Sequence, residues 1–128
     1  MVYLDASVAL AHVLAEDRLP PEVLWDEPLT ASRLVQYELC NHVHARRLER
    51  SHGDEVRAVL DRVALVELTP VVLARAMEPF PVPVRTLDAL HLATAEFLRD
   101  HGQAVELASY DERLVTAARA LDIPVYRL

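Results

Sequence analysis

The sequence predicts an α/β domain in three layers, a central parallel sheet with helices on both faces. Three observations point there. Short apolar runs alternate with longer stretches whose apolar positions recur at helical spacing, the pattern of strand–helix–strand units. Two of the short runs deliver an aspartate at or just past their ends, Asp5 and Asp111. At 128 residues, 52% of them hydrophobic, the chain suits one domain, 1–128, that buries roughly two-thirds of its unfolded surface.

The elements follow in order. Val2-Tyr3-Leu4 reads as a strand running into Asp5. Val8, Leu10, Ala11 and Leu14 then mark a helix that lasts until the Leu19-Pro20-Pro21 break. Leu29-Thr30-Ala31 is a second strand closed by Ser32, a good N-cap for a helix carrying Leu34, Val35, Glu38, Leu39, Asn41, His42 and Leu48 as far as Gly53. A third helix is expected over roughly 54–62, and Ala64-Leu65-Val66-Glu67-Leu68 as a strand. Thr69 as cap with Pro70 at the first helical position starts the next helix. The Pro79–Pro83 segment reads as an extended connection. Thr86 caps a helix with one apolar stripe ending at His101-Gly102. Val105–Ala108 is a strand leading to Ser109-Tyr110-Asp111, followed by a helix over about 112–121 and a last strand at Ile123–Tyr126.

Composition excludes several chemistries. The charge sum is 13 − 20 = −7, and every basic residue is Arg, so no lysine is present for Schiff-base chemistry or a phosphate-loop role. Gly53 and Gly102 are the only glycines, too few for a dinucleotide- or triphosphate-cradling loop or a nucleophile elbow. Cys40 stands alone and makes no internal disulfide. With no apolar run near the roughly 18 residues of a membrane span and no leader pattern at Met1-Val2-Tyr3, a soluble, cytoplasmic protein is expected.

In open parallel sheets, ligands gather beyond the carboxyl ends of the strands. Asp5 and Asp111 fall there, and Glu38 and Asp88 reach the same edge if their helices pack beside the crevice. Each acid has an ordinary explanation by itself: Asp5 and Asp111 as helix caps, Asp88 as a first-turn carboxylate, Glu38 as a solvated helix residue. Jointly they form a like-charge cluster that disfavours ionisation unless a cation is present. Hard oxygen donors suit Mg²⁺ or Mn²⁺, with substrate phosphate completing the shell.

The motifs that carry these acids resemble the PIN-domain ribonucleases, more closely the VapC-type toxins of bacterial toxin–antitoxin pairs. They are Tyr3-Leu4-Asp5-Ala6-Ser7, Tyr37-Glu38-Leu39-Cys40-Asn41, the run from Arg85 through Asp88 and His91 to Ala95, and Ser109-Tyr110-Asp111-Glu112-Arg113-Leu114, in this order across nearly the whole chain. The resemblance implies a PIN-like α/β/α fold with Asp5, Glu38, Asp88 and Asp111 as the catalytic, metal-binding quartet. Ser7, Asn41 and Ser109 would be supporting residues. It implies Mg²⁺-dependent hydrolysis of RNA, in which water attacks phosphorus and leaves 5′-phosphate and 3′-hydroxyl ends. A homodimer, inhibited by a cognate antitoxin, is implied as well. The sequence departs from the family at Asp122, where a glycine is common, and at Ser109, where threonine is frequent.

Arg46 and Arg50, one turn apart on the expected helix, together with Arg85 and Arg113 are candidate RNA-phosphate contacts, and two divalent ions would bring the sum of −7 to −3. Other readings stand beside this one. Cys40 and His44 share a helix face, but no second Cys/His cluster completes a zinc site. His91 is open between a partner of the acids and a packed histidine, and Trp25 between core, lid and partner surface. A metal-independent nuclease using His42, His44 or His91 would survive EDTA, and a non-catalytic acidic scaffold would bind a partner protein or metal without cutting.

Overall fold

A computed structural model describes all 128 residues. Four strands, β1 (Val2–Leu4), β2 (Leu29–Ser32), β3 (Val63–Val66) and β4 (Glu106–Ala108), form one parallel sheet in the order β3-β2-β1-β4. Six α-helices accompany them: α1 (Ala6–Val13), α2 (Leu34–Ala45), α3 (Glu49–Leu60), α4 (Pro70–Ala76), α5 (Thr86–Asp100) and α6 (Glu112–Ala120).

Alternation along the strands builds the three layers. Val2, Leu4, Leu29 and Ala31 pack with Val8, Val35, Leu39, Val56 and Val59 of α1–α3 on one face. Tyr3 and Leu107 point the other way and pack with Leu92 and Ala95 of α5 and Leu114, Ala117 and Ala118 of α6. Because β1 has β2 on one side and β4 on the other, the crevice at its carboxyl end opens where the strand order reverses. Asp5 stands there, its backbone N–H donating to Ala108 O at 3.0 Å. No helix is long and apolar enough to cross a membrane.

Several element boundaries differ from the sequence reading. α1 stops at Val13, well short of the prolines, and a short 3₁₀ turn covers Glu22–Asp26. The expected helix through to Gly53 breaks after Ala45, and Gly53 lies inside α3. The break is a Schellman motif: Leu48 N–H reaches back to Val43 O at 2.9 Å, Arg47 N–H to His44 O at 3.0 Å, and Arg47 adopts φ +55°. Leu48 then packs against the core beside Val43. Ala15 (φ 49°) and Asp122 (φ 57°) end α1 and α6 in the same way, with Gly102 doing so after α5. The expected last strand is reduced to a single parallel bridge, Leu107 with Val125. Pro124 still accepts from Leu107 N–H at 2.8 Å but has no N–H of its own to extend the ladder.

Trp25 settles at the edge of the α1–α3 core, its ring 4.5 Å from the His12 ring. The Pro79–Pro83 connection carries neither helix nor strand, but it bends at Pro81 and Val82 rather than running straight; Arg75 lies over Phe80 at 4.3 Å and joins α4 to α5 through Glu96 at 2.5 Å.

A left-handed backbone at an arginine is strained relative to glycine by about 1 kcal/mol. Arg47→Gly is therefore expected to stabilise the fold by about that amount, read as a higher urea midpoint with an unchanged m-value.

Candidate metal-binding active site

Asp5, Glu38, Asp88 and Asp111 line one cleft of about 500 Å³ at the carboxyl edge of the sheet. Asp5 follows β1 and caps α1, Asp111 follows β4 and caps α6, Asp88 lies in the first turn of α5, and Glu38 comes from α2. Each carboxylate is anchored through one oxygen. Asp5 Oδ2 accepts from Ser7 Oγ at 2.6 Å and Ser109 Oγ at 2.8 Å. Asp111 Oδ1 accepts from Arg113 N–H at 2.9 Å, and Asp88 Oδ2 from Arg85 N–H at 3.4 Å. Glu38 Oε1 lies 2.5 Å from His91 Nε2.

The second oxygens, Asp5 Oδ1, Glu38 Oε2, Asp88 Oδ1 and Asp111 Oδ2, have no protein partner. No side-chain oxygen sealed from solvent is unpartnered in this structure, so these oxygens are reached by solvent. The arrangement is electrostatically uphill. Burial raises the pKa of Asp88 above the ordinary aspartate range, its hydrogen bond from Arg85 N–H works against that, and the charges of Asp111 and Asp5 add to the rise.

Two serines and a buried chain of polar groups fix the geometry. Ser7 Oγ accepts from Tyr110 N–H at 3.0 Å and Ser109 Oγ from Asp111 N–H at 2.9 Å, which ties the β4–α6 turn to Asp5. Behind Glu38, His91 Nδ1 lies 2.8 Å from the Tyr3 hydroxyl, whose oxygen accepts from Ser32 N–H at 3.0 Å. This chain links α2, α5, β1 and β2. Burial disfavours the imidazolium of His91, but the hydrogen bond and charge of Glu38 outweigh it and the pKa is raised. Burial pushes the Tyr3 hydroxyl far above the usual phenol range, so it stays neutral.

Sequence reasoning placed some residues elsewhere. Asn41 is exposed on α2 and does not line the cleft; His42, four residues after Glu38 and so over the same helix face, does. The i+4 spacing was the signal available for it. Arg46 and Arg50 are not one turn apart on a helix, because the Schellman break puts Arg46 at the end of α2 and Arg50 in α3, outside the cleft. Arg85 does line it, and a neighbouring hollow of about 570 Å³ adds Arg113 beside Arg85 and Asp88. His91 borders the cleft from behind Glu38 at only 2% exposure, with both ring nitrogens engaged by Tyr3 and Glu38. Cys40 is half-buried against the core and His44 exposed, with no metal-ligating cluster between them.

No three His, Cys, Asp or Glu side chains converge tightly enough to ligate one ion directly. A hydrated hard cation does not require that: Mg²⁺ keeps several waters and is commonly held by one or two carboxylates. An all-oxygen donor set with unpaired oxygens on one cleft wall fits such an ion.

A parallel α/β sheet with four carboxylates at its switch point defines the class as an α/β fold with an acidic cleft at the carboxyl edge of the sheet. The family model described as "PIN domain" matches residues 2–120, and the chain belongs to that family. Among curated relatives, Ribonuclease VapC35 of Mycobacterium tuberculosis (strain ATCC 25618 / H37Rv) is 32% identical across 98% of this chain and 95% of its own length. Ribonuclease VapC46 of the same strain is 33% identical across 97% and 95%. Ribonuclease VapC47 of strain CDC 1551 / Oshkosh is 28% identical across 93% and 90%.

Removing the Tyr3 hydroxyl leaves the Ser32 N–H without its partner in a sealed interior. Tyr3→Phe is expected to lower stability by about 1–3 kcal/mol, measured by urea unfolding. A loss well below that range would show that the polar chain is not holding the sheet to α5.

Proposed function

We propose that this chain is a VapC-type endoribonuclease toxin, acting as one PIN domain over residues 1–128. The observation that carries the reading is the set of four carboxylates, each anchored by one oxygen and open at the other, on one cleft wall. Relatives named as ribonucleases across nearly the full length support RNA as the substrate class.

Asp5, Glu38, Asp88 and Asp111 would hold Mg²⁺, with Mn²⁺ as a substitute. When bound, the ion offsets charge on the phosphate and lowers the pKa of water for attack on phosphorus, leaving 5′-phosphate and 3′-hydroxyl ends. The chain's own residues do the rest. Ser7 and Ser109 fix Asp5 through Oδ2 and so aim Oδ1, and His91 does the same for Glu38. Arg85, on the cleft wall, and Arg113 beside it are placed to neutralise phosphate oxygens on either side of the scissile bond. The protein works in the cytoplasm as a homodimer, restrained by a cognate antitoxin whose inhibitory segment covers the acids.

Two tests follow. Inducible expression of the parent in a bacterium should arrest growth and generate discrete new 5′-phosphate RNA ends, both lost in Asp5→Asn; new 2′,3′-cyclic phosphate ends, or cutting that persists in EDTA, would exclude the mechanism. Independently of activity, millimolar MgCl₂ should raise the thermal unfolding midpoint of the parent and leave that of an Asp5→Asn/Asp88→Asn variant unmoved. The variant itself should be at least as stable as the metal-free parent, because two charges leave a like-charge cluster.

A further inference from the structure

We propose that an RNA strand leaving the acidic cleft lies in a second groove, with Tyr110 at the junction and Arg18, Arg119 and Arg127 along its walls. The inference rests on the nuclease reading above and deepens it by assigning a place to the phosphates that flank the scissile bond.

The groove has a volume of about 760 Å³ and runs between α6, the segment after α1 and the C-terminal residues. Its charge is opposite to that of the chain. Three arginines line it against one acidic side chain, Glu112, in a protein of net charge −7. Arg18, Arg119 and Arg127 are exposed, and none is engaged in any of the four ion pairs of the structure. Unpaired guanidinium groups along a groove are what a phosphate backbone requires.

Aromatic planes accompany the charge. The Arg18 guanidinium lies over the Tyr110 ring at 4.8 Å, and Tyr126 lines the same groove. Both tyrosines are half-buried against the α1–α3 core and Arg18 covers Tyr110, so the planes offered to a base are those of the guanidinium groups, which stack unpaired bases in basic grooves that hold single strands. An acidic peptide would pair with the edges of those groups and leave their planes unused.

The groove is joined to the acids. Tyr110 lies between Ser109, which donates to Asp5, and Asp111, and its own N–H donates to Ser7 Oγ at 3.0 Å. Thr116 and Glu112 of α6 border both this groove and the hollow that holds Arg85, Arg113 and Asp88. Glu112 and Thr116 thus form the ridge between the hollow and the groove, and a strand leaving the acids reaches the groove by crossing the N-terminal half of α6 there.

The test uses the full chain carrying Asp5→Asn, so that RNA is bound but not cut, and a fluorescein-labelled single-stranded oligoribonucleotide of mixed sequence, followed by anisotropy over a range of salt. Adding Arg18→Ala, Arg119→Ala and Arg127→Ala should weaken binding by roughly tenfold or more and lower the slope of log affinity against log salt by about 2. Those three changes in the active parent should raise KM for long RNA with kcat retained, and circular dichroism melting confirms that they fold. Unchanged affinity and slope, in a protein whose parent cuts RNA, overturns the groove and leaves the nuclease standing. The same result with loss of binding to an oligoglutamate probe overturns it in favour of an acidic peptide. A parent that neither binds nor cuts RNA removes the nuclease reading itself, and the groove with it.

Discussion

Like-charge repulsion at the carboxyl edge of the sheet is the constraint that organises this molecule. Four carboxylates line a single cleft, and the pKa of Asp88, raised first by burial, is raised further by the charges of Asp111 and Asp5. Left free, such side chains would rotate apart into water. They do not, because each is pinned through one oxygen by hydroxyl, imidazole or backbone N–H donors. The fold supplies those donors from elements that the strand order brings together, so the site depends on the sheet's switch point and on the helix starts that surround it. The ordinary and the functional explanations of these acids are therefore compatible. Asp5 and Asp111 cap helices, and Asp88 accepts at the start of α5, with one oxygen each; the other is free for chemistry.

What was legible in the sequence follows from how local each signal is. Strands such as Val2–Leu4 and Val63–Val66 showed as short apolar runs, and the Thr69-Pro70 helix start was read correctly because capping is decided within a few residues. The PIN-like α/β/α fold was expected and is the fold observed, with the family match covering residues 2–120. Two helix ends were misread for one physical reason. The Schellman turns that close α1 and α2 place Ala15 and Arg47, rather than glycine, in the left-handed region, and Gly53 sits inside a helix where it signals nothing. The error carried forward: with α2 run on to Gly53, Arg46 and Arg50 fell on one face, whereas the real turn separates them. The Tyr3–His91–Glu38 chain was invisible because its members are 88 and 53 residues apart, a distance at which periodicity carries no information.

The acidic net charge looked like an obstacle to a polyanionic substrate, and the structure resolves it by separation. Carboxylates are concentrated where a cation would offset them, and arginines without carboxylate partners lie along the neighbouring groove and hollow. Net charge bears on solubility and long-range attraction, while a bound strand responds to the field within about 10 Å, beyond which salt screens exposed charges.

The buried Tyr3–His91–Glu38 chain completes this logic. Polar groups sealed between a sheet and a helix seldom add net stability over a well-packed apolar core, since each hydrogen bond only replaces one made to water. Their value is directional. A leucine at position 3 would fill space between β1 and α5, yet it would leave Ser32 N–H unpaired and free the His91 ring to turn. Glu38 would then be restrained only by its own helix, and a carboxylate facing three like charges would swing outward. The tyrosine hydroxyl, fully buried on the central strand, thus sets the orientation of an acid on α2 through a histidine on α5. Rigidity of the sheet core and geometry of the cleft are, at this point, the same property.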